Sequence, residues 1–136
     1  MSRIILLLIF SLVQAFGGAA FESESYLIWI GSKCPTGSTT CTHVTYNQTD
    51  KHNGKTLIIQ GGEPIVGNLS GNLIGYKFLD LKSKQAFELS MNLEKQYTLY
   101  IRSLSGDSQI GKAFKQEIIK PINENTYLQK IKKIKK

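Results

Sequence analysis

Cysteine, histidine, proline and tryptophan are scarce in this chain, whose 136 residues hold two cysteines, two histidines, three prolines and one tryptophan. Each scarcity excludes something. Cys34 and Cys41 have one histidine near them in sequence, His43, and no second histidine or cysteine completes a tetrahedral zinc set there. His43 and His52 are the only candidate bases for a nucleophilic enzyme. Asp50 and His52 fit one turn, but neither histidine has an activated serine or cysteine beside it, so no triad is expected. A phosphate loop is excluded as well. Asn53-Gly54-Lys55-Thr56 needs a glycine at position 49, which is threonine, and no helix follows to offer its N-terminus. Long apolar runs are missing apart from Ile4–Val13, which is shorter than the roughly 20 residues that span a bilayer. Acidic residues are short too. Seventeen Lys and Arg face ten Asp and Glu, a net charge of +7. Such a balance favours acidic partners: an anionic membrane or envelope polymer, or an acidic protein face, with nucleic acid ranked last for an exported chain.

What is present at the N-terminus explains why export is expected. Arg3 precedes the apolar run, and small residues follow at Gly17, Gly18, Ala19 and Ala20. This is the pattern of a secretory signal peptide over residues 1–20, cut after Ala20 with Gly17 as a rival site. No cysteine sits there to carry a lipid anchor. A periplasmic or secreted protein meets an oxidising compartment, so Cys34 and Cys41 are expected to form a disulfide. Closing so short a loop contributes roughly 2–3 kcal/mol in the chain-entropy picture. Asn47-Gln48-Thr49 and Asn68-Leu69-Ser70 are glycosylation sequons, which matter only in a eukaryotic host.

The body, residues 21–126, reads as strands. Residues 26–30 form a short apolar β-type run, and strand-type residues recur at 42–46, 56–60, 74–80, 85–93, 95–104 and 113–119, with glycine, proline, asparagine or serine between the runs. Trp29, Tyr46, Tyr76, Phe78, Phe87 and Tyr97 fall on alternating positions and are assigned mostly to the core. Phe87, Leu89, Met91 and Leu93 share one side of their run. Asn53-Gly54 predicts a hairpin turn in which both residues take positive φ, and Pro121 is expected to end the last strand. The expected fold is all-β, an antiparallel sandwich or small barrel of about seven to eight strands. The basic tail, residues 127–136, admits a short helix with Leu128, Ile131 and Ile134 along one side.

The order of short motifs is similar to that of a group of small exported enterobacterial β-proteins, mostly of unknown function. The matching residues are Cys41, Val44 and Tyr46 (C-x-x-V-x-Y), Gly54, Lys55, Leu57, Ile59 and Gly61 after Asn53 (N-G-K-T-L-x-I-x-G), and Gly75, Tyr76 and Phe78 (G-Y-x-F). Members of that group often carry further cysteines between the hairpin and the G-Y-x-F strand, and this chain has none there. More loosely, size, address and strand pattern are similar to those of periplasmic proteins that inhibit lysozymes or confer immunity to cell-wall-cleaving bacteriocins. The resemblance implies an exported, non-catalytic binding protein that needs no cofactor or metal and blocks a bacteriolytic enzyme with an acidic cleft. The residues expected to meet that partner are Lys51, His52 and Lys55 on the hairpin tip, with Tyr100 and Arg102 as a second patch. The alternative is a structural envelope or adhesion component held by its basic surface, the tail above all. The carboxylates Glu63, Asp80, Glu88, Asp107 and Glu117 fall where ordinary strand faces and turns place them, and no glycosidase pair is assigned.

Overall fold

The computed structural model of the chain describes residues 18–33, 42–68, 70–106 and 109–134. Cys34 and Cys41, and with them the expected disulfide, lie outside the described residues. Among these residues are nine strands: β1 Gly18–Glu22, β2 Tyr26–Ser32, β3 Val44–Asp50, β4 Thr56–Gln60, β5 Glu63–Val66, β6 Leu73–Asp80, β7 Gln85–Met91, β8 Tyr97–Ser105 and β9 Gln109–Ile122. One helix, α1, spans Glu124–Ile134. The strands form one sheet in the order β4-β3-β2-β1-β9-β8-β7-β6-β5, antiparallel throughout.

That order puts β4 and β5 at opposite edges, yet only Gly61 and Gly62 separate them in sequence. The edges therefore meet, and the sheet curls back on itself without closing into a barrel. The corner needs glycine. A Cβ on Gly62 would stand 2.2 Å from Cε1 of Phe78, so the backbone passes directly over that ring. The Gly61 and Gly62 amides both donate to the Val44 carbonyl, which fixes the bend.

The interior joins the two halves of the curl. Tyr26, Ile28, Ile30, Val44, Tyr46 and Ile59 meet Phe78, Phe87, Leu89, Leu99, Ile101 and Ile119 in one buried cluster. Tyr46 bridges the halves, its ring centroid 5.1 Å from Phe78 and 5.4 Å from Phe87. Burial raises its phenol well above the ordinary value, and its hydroxyl donates to Oε1 of Gln48 at 2.6 Å.

Several expectations give way. β1 and β5 were not expected as strands, and the count rises to nine. β9 runs through Pro121 instead of stopping before it, with Phe21 opposite Pro121. Pairing with β8 ends at Tyr97–Ile119, so the donor that proline lacks has no β8 acceptor to serve. The 51–55 turn has positive φ at Gly54 but not at Asn53. It is a longer loop, closed by Gly54 N–H donating to the Asp50 carbonyl and Asp50 N–H to the Lys55 carbonyl. Leu93 does not share the core side of Phe87 and Leu89, because β7 ends at Met91 and Leu93 is 95% exposed on the following turn.

Trp29 points outward instead of into the core, and α1 covers it. Asn123 caps the helix, its Oδ1 accepting the Thr126 amide at 2.8 Å. Tyr127 lies against Trp29, with ring centroids 5.6 Å apart. Ile131 borders the same groove over Thr49 and Thr56, and Ile134 reaches the Gly54 turn. The inward face is thus Tyr127, Lys130, Ile131 and Ile134, while Leu128, expected there, is largely exposed. The row Glu22–Leu27–Thr49 runs across β1, β2 and β3 on this face. Leu27 in its middle is wholly buried.

Candidate binding surfaces

The hairpin tip divides into a structural and a free part. Lys51 is not a solvated tip residue. Its Nζ donates to Oε2 of Glu22 at 2.9 Å and to the Ser23 carbonyl at 3.0 Å, while its amide donates to the Ser25 carbonyl. Lys130 reaches the same carboxylate from α1, at 2.7 Å to Oε1 and 2.8 Å to Oε2. One glutamate therefore ties β1, the β3–β4 loop and the helix together. The hydrogen bonds from Lys130 and then Lys51 hold the Glu22 carboxyl below its ordinary value. His52 and Lys55 are exposed. Asp50 does not serve His52 as an orienting acid, because its Oδ1 accepts the backbone amides of His52 and Asn53 and so builds the turn.

The second expected pair lies side by side on the sheet, though less exposed than expected. Tyr100 and Arg102 lie two apart on β8, on the outer face, and both are half-buried. The Arg102 guanidinium sits 5.2 Å from the Tyr100 ring centroid, and its Nε is 3.5 Å from Oε2 of Glu88 on β7. Stacking of this kind stabilises by about 0.5–1 kcal/mol at partly exposed sites. β9 lies alongside, with Gln116 opposite Tyr100 and Ile118 opposite Thr98. Phe114 falls where the β8–β9 register shifts at Ile101/Arg102. Phe114 is 60% exposed and Ile118 55% exposed. Neither was singled out in the sequence, because the 113–119 run sets Phe114 and Ile118 on one side and Lys115 and Glu117 with Ile119 on the other, so its alternation does not name the inward side.

The opposite face of β9 explains that mixture. Lys115 and Glu117 lie opposite Ile101 and Leu99, on the inner side near one end of the curl. Lys115 Nζ donates to the Tyr26 hydroxyl at 2.9 Å and stands 3.3 Å from Glu117 Oε2. Glu117 Oε1 accepts the Ser25 amide at 3.1 Å. Burial pushes the Glu117 carboxyl up, but hydrogen bonds from Ser23, Ser25 and Lys115 outweigh it and leave the group below its ordinary value. Glu117 is thus an anion held in place to order the 23–25 turn, not an acid poised to give a proton. The other carboxylates in described segments are placed just as plainly. Glu63 pairs with Lys77, Glu88 with Arg102, and Asp80 accepts from the Ser83 hydroxyl.

Among the described residues, no group of three or more His, Cys, Asp or Glu side chains is placed to hold a metal ion. No helix among them is long and apolar enough to cross a membrane. No family model, no curated protein and no solved structure matches this chain.

Proposed function

We propose that this chain is an exported, non-catalytic binding protein of the bacterial periplasm, of the inhibitor or immunity kind, which seats a cell-wall-degrading enzyme. The observation that supports it is the outer face of β8 and β9. Phe114 and Ile118, each more than half exposed, flank Tyr100 and Arg102 on a paired, rigid sheet surface. Large apolar groups grouped around an arginine-tyrosine pair are the usual make-up of an interface centre. Charge supports an acidic partner. The chain is basic overall, and Lys55 is exposed on the hairpin tip. In such a complex Phe114 and Ile118 supply the desolvated anchor, and the rim cations speed association and set its salt dependence.

Retention on the envelope through the tail has less support. The apolar side of α1 lies on the sheet, and among the described residues of the tail the exposed lysines that could meet an anionic polymer are Lys132 and Lys133.

Inhibition of lysis is the test, with the protein set against a panel of lysozymes and muralytic bacteriocins. Stoichiometric inhibition of one of them is expected. Phe114→Asp and Ile118→Asp should each weaken it about thirtyfold, the loss typical of a hot-spot residue. Lys55→Glu should chiefly slow association at low salt. No inhibition across the panel, or inhibition indifferent to both β9 changes, rejects the assignment.

A further inference from the structure

We infer that the curled sheet holds a binding site for one medium-length aliphatic chain carrying an anionic head, in a cavity between β1–β2 and β6–β8. The cavity measures about 300 Å³. Phe21, Ile30 and Leu89 form its buried floor. Leu73, Ile74 and Met91 form a half-buried wall, and the rings of Tyr76 and Tyr97 complete it. Phe21 and Tyr97 pack together at 5.1 Å. Ala19, opposite Ile30 on β1, is too small to fill the space.

Two features point to an occupant. The lining is almost wholly apolar, and much of it is only half covered, so water in contact with it gives up free energy that a hydrocarbon would recover. The volume is about twice the ~150 Å³ that admits a benzene ring, which suits a chain of roughly eight to ten carbons. The cavity also leads outward. Leu73, Ile74 and Met91 line a second, wider chamber whose other walls include Leu93, Asn68 and Lys95. The turn that carries Lys95 is ordered by Asn92, whose Oδ1 accepts the amides of Glu94 and Gln96 at 2.9 Å each. The Lys95 ammonium makes no ion pair with any described residue. A carboxylate or phosphate at the chamber end of the chain would meet it, while the hydrocarbon lies inward against Phe21 and Leu89. Leu93, almost fully exposed at the rim, extends the apolar path outward.

Decanoate, kept below its micellar range, is the probe, titrated into protein purified from the full reading frame with backbone amide shifts followed by NMR. Saturable one-to-one binding is expected, with the largest shifts at Phe21, Leu89 and Tyr97. Ile74→Trp, which fills the cavity, should weaken binding at least tenfold, and Met91→Phe serves if that variant does not fold. Lys95→Glu should weaken decanoate about fivefold while 1-decanol changes less than about twofold, a gap of the size an exposed ion pair supplies. Absence of saturation, shifts centred elsewhere, or affinity unchanged by both filling variants overturns the site. Equal losses for decanoate and decanol in Lys95→Glu overturn the anionic head.

Discussion

Replacing Glu22 by glutamine removes the one anion that two lysines share. In the wild-type chain the carboxylate receives Lys130 at 2.7 and 2.8 Å and Lys51 at 2.9 Å. The three side chains are 21%, 42% and 29% exposed respectively, so solvent screening discounts what these distances suggest. An exposed pair contributes about 0.2–1 kcal/mol, and a buried charge-assisted hydrogen bond about 1.5–3 kcal/mol. Two partly covered pairs on one carboxylate therefore place Glu22→Gln at about 1–2 kcal/mol, a fall in melting temperature of roughly 3–8 °C. Urea denaturation of Glu22→Gln, Lys130→Met and the double variant isolates the pair, with an expected coupling of about 0.5–1.5 kcal/mol. The coupling should shrink in 1 M salt, where the screening length falls to about 3 Å. Trp29 is the only tryptophan and stacks on Tyr127 of the helix. Its emission therefore reports whether α1 stays docked. A double variant whose loss is the plain sum of the two single losses would falsify the shared clamp.

Acid should act on the same clamp. Glu22 and Glu117 both titrate below the ordinary 4.5 in the folded chain, so their stabilisation is complete above that value and is lost as pH falls through their lowered native values. The urea midpoint should drop below pH of about 4.5, less steeply in Glu22→Gln, and parallel acid limbs for the two proteins would contradict this. On the proposed export, processing is expected after Gly17, the rival site, because Gly18, Ala19 and Ala20 pair with Gly31, Ile30 and Trp29 and cleavage after Ala20 would remove them from β1. Intact-mass measurement of the exported protein decides it, and a chain starting at Phe21 refutes it. Phe78→Ala empties the space beside Tyr46 and beneath Gly62 and should cost about 3–5 kcal/mol in chemical denaturation. A loss under about 1 kcal/mol would mean the corner is not packed as described.

The strands that could be read from sequence were those whose two faces differ. β7 alternates Phe87 and Leu89 inward with Glu88 and Ser90 outward, and β3 does the same with Val44 and Tyr46. β1 was hidden because GAAFE offers small residues that also suit a cleavage site, and it is held by pairing with β2 on one side and the distant β9 on the other. β5 is four residues with a proline, too short for a period to show. Trp29 was misplaced for a related reason. Trp29 is apolar because a helix from the far end of the chain covers it, and local alternation cannot distinguish that cover from the core. Of the expected contact residues, His52 and Lys55 are exposed, while Tyr100 and Arg102 stack on each other and are half-buried. Lys51 differs because its partner lies 29 residues earlier, beyond any spacing rule.

The clamp also changes how the net charge should be read. A charge of +7 treats every lysine as available to a partner, but Lys51, Lys77, Lys115 and Lys130 are each paired with a carboxylate. Lys51 and Lys130 share one glutamate, so a surplus charge is held at the seam between helix and sheet, where removing Glu22 would expose it. The field that a partner meets comes instead from the exposed lysines of the turns and strand rims, such as Lys55, Lys95, Lys112 and Lys120, and from the two lysines on the outer side of α1. These lysines are carried by separate elements: the β3–β4 loop, the β7–β8 turn, β9 and α1. Electrostatics of that kind raises encounter rates with any acidic body and selects poorly among them. On the proposed function, selectivity comes from local apolar features such as the Phe114–Ile118 face of β9 and the cavity floored by Phe21 and Leu89. Substitutions at those two places should separate partners that the charge alone cannot.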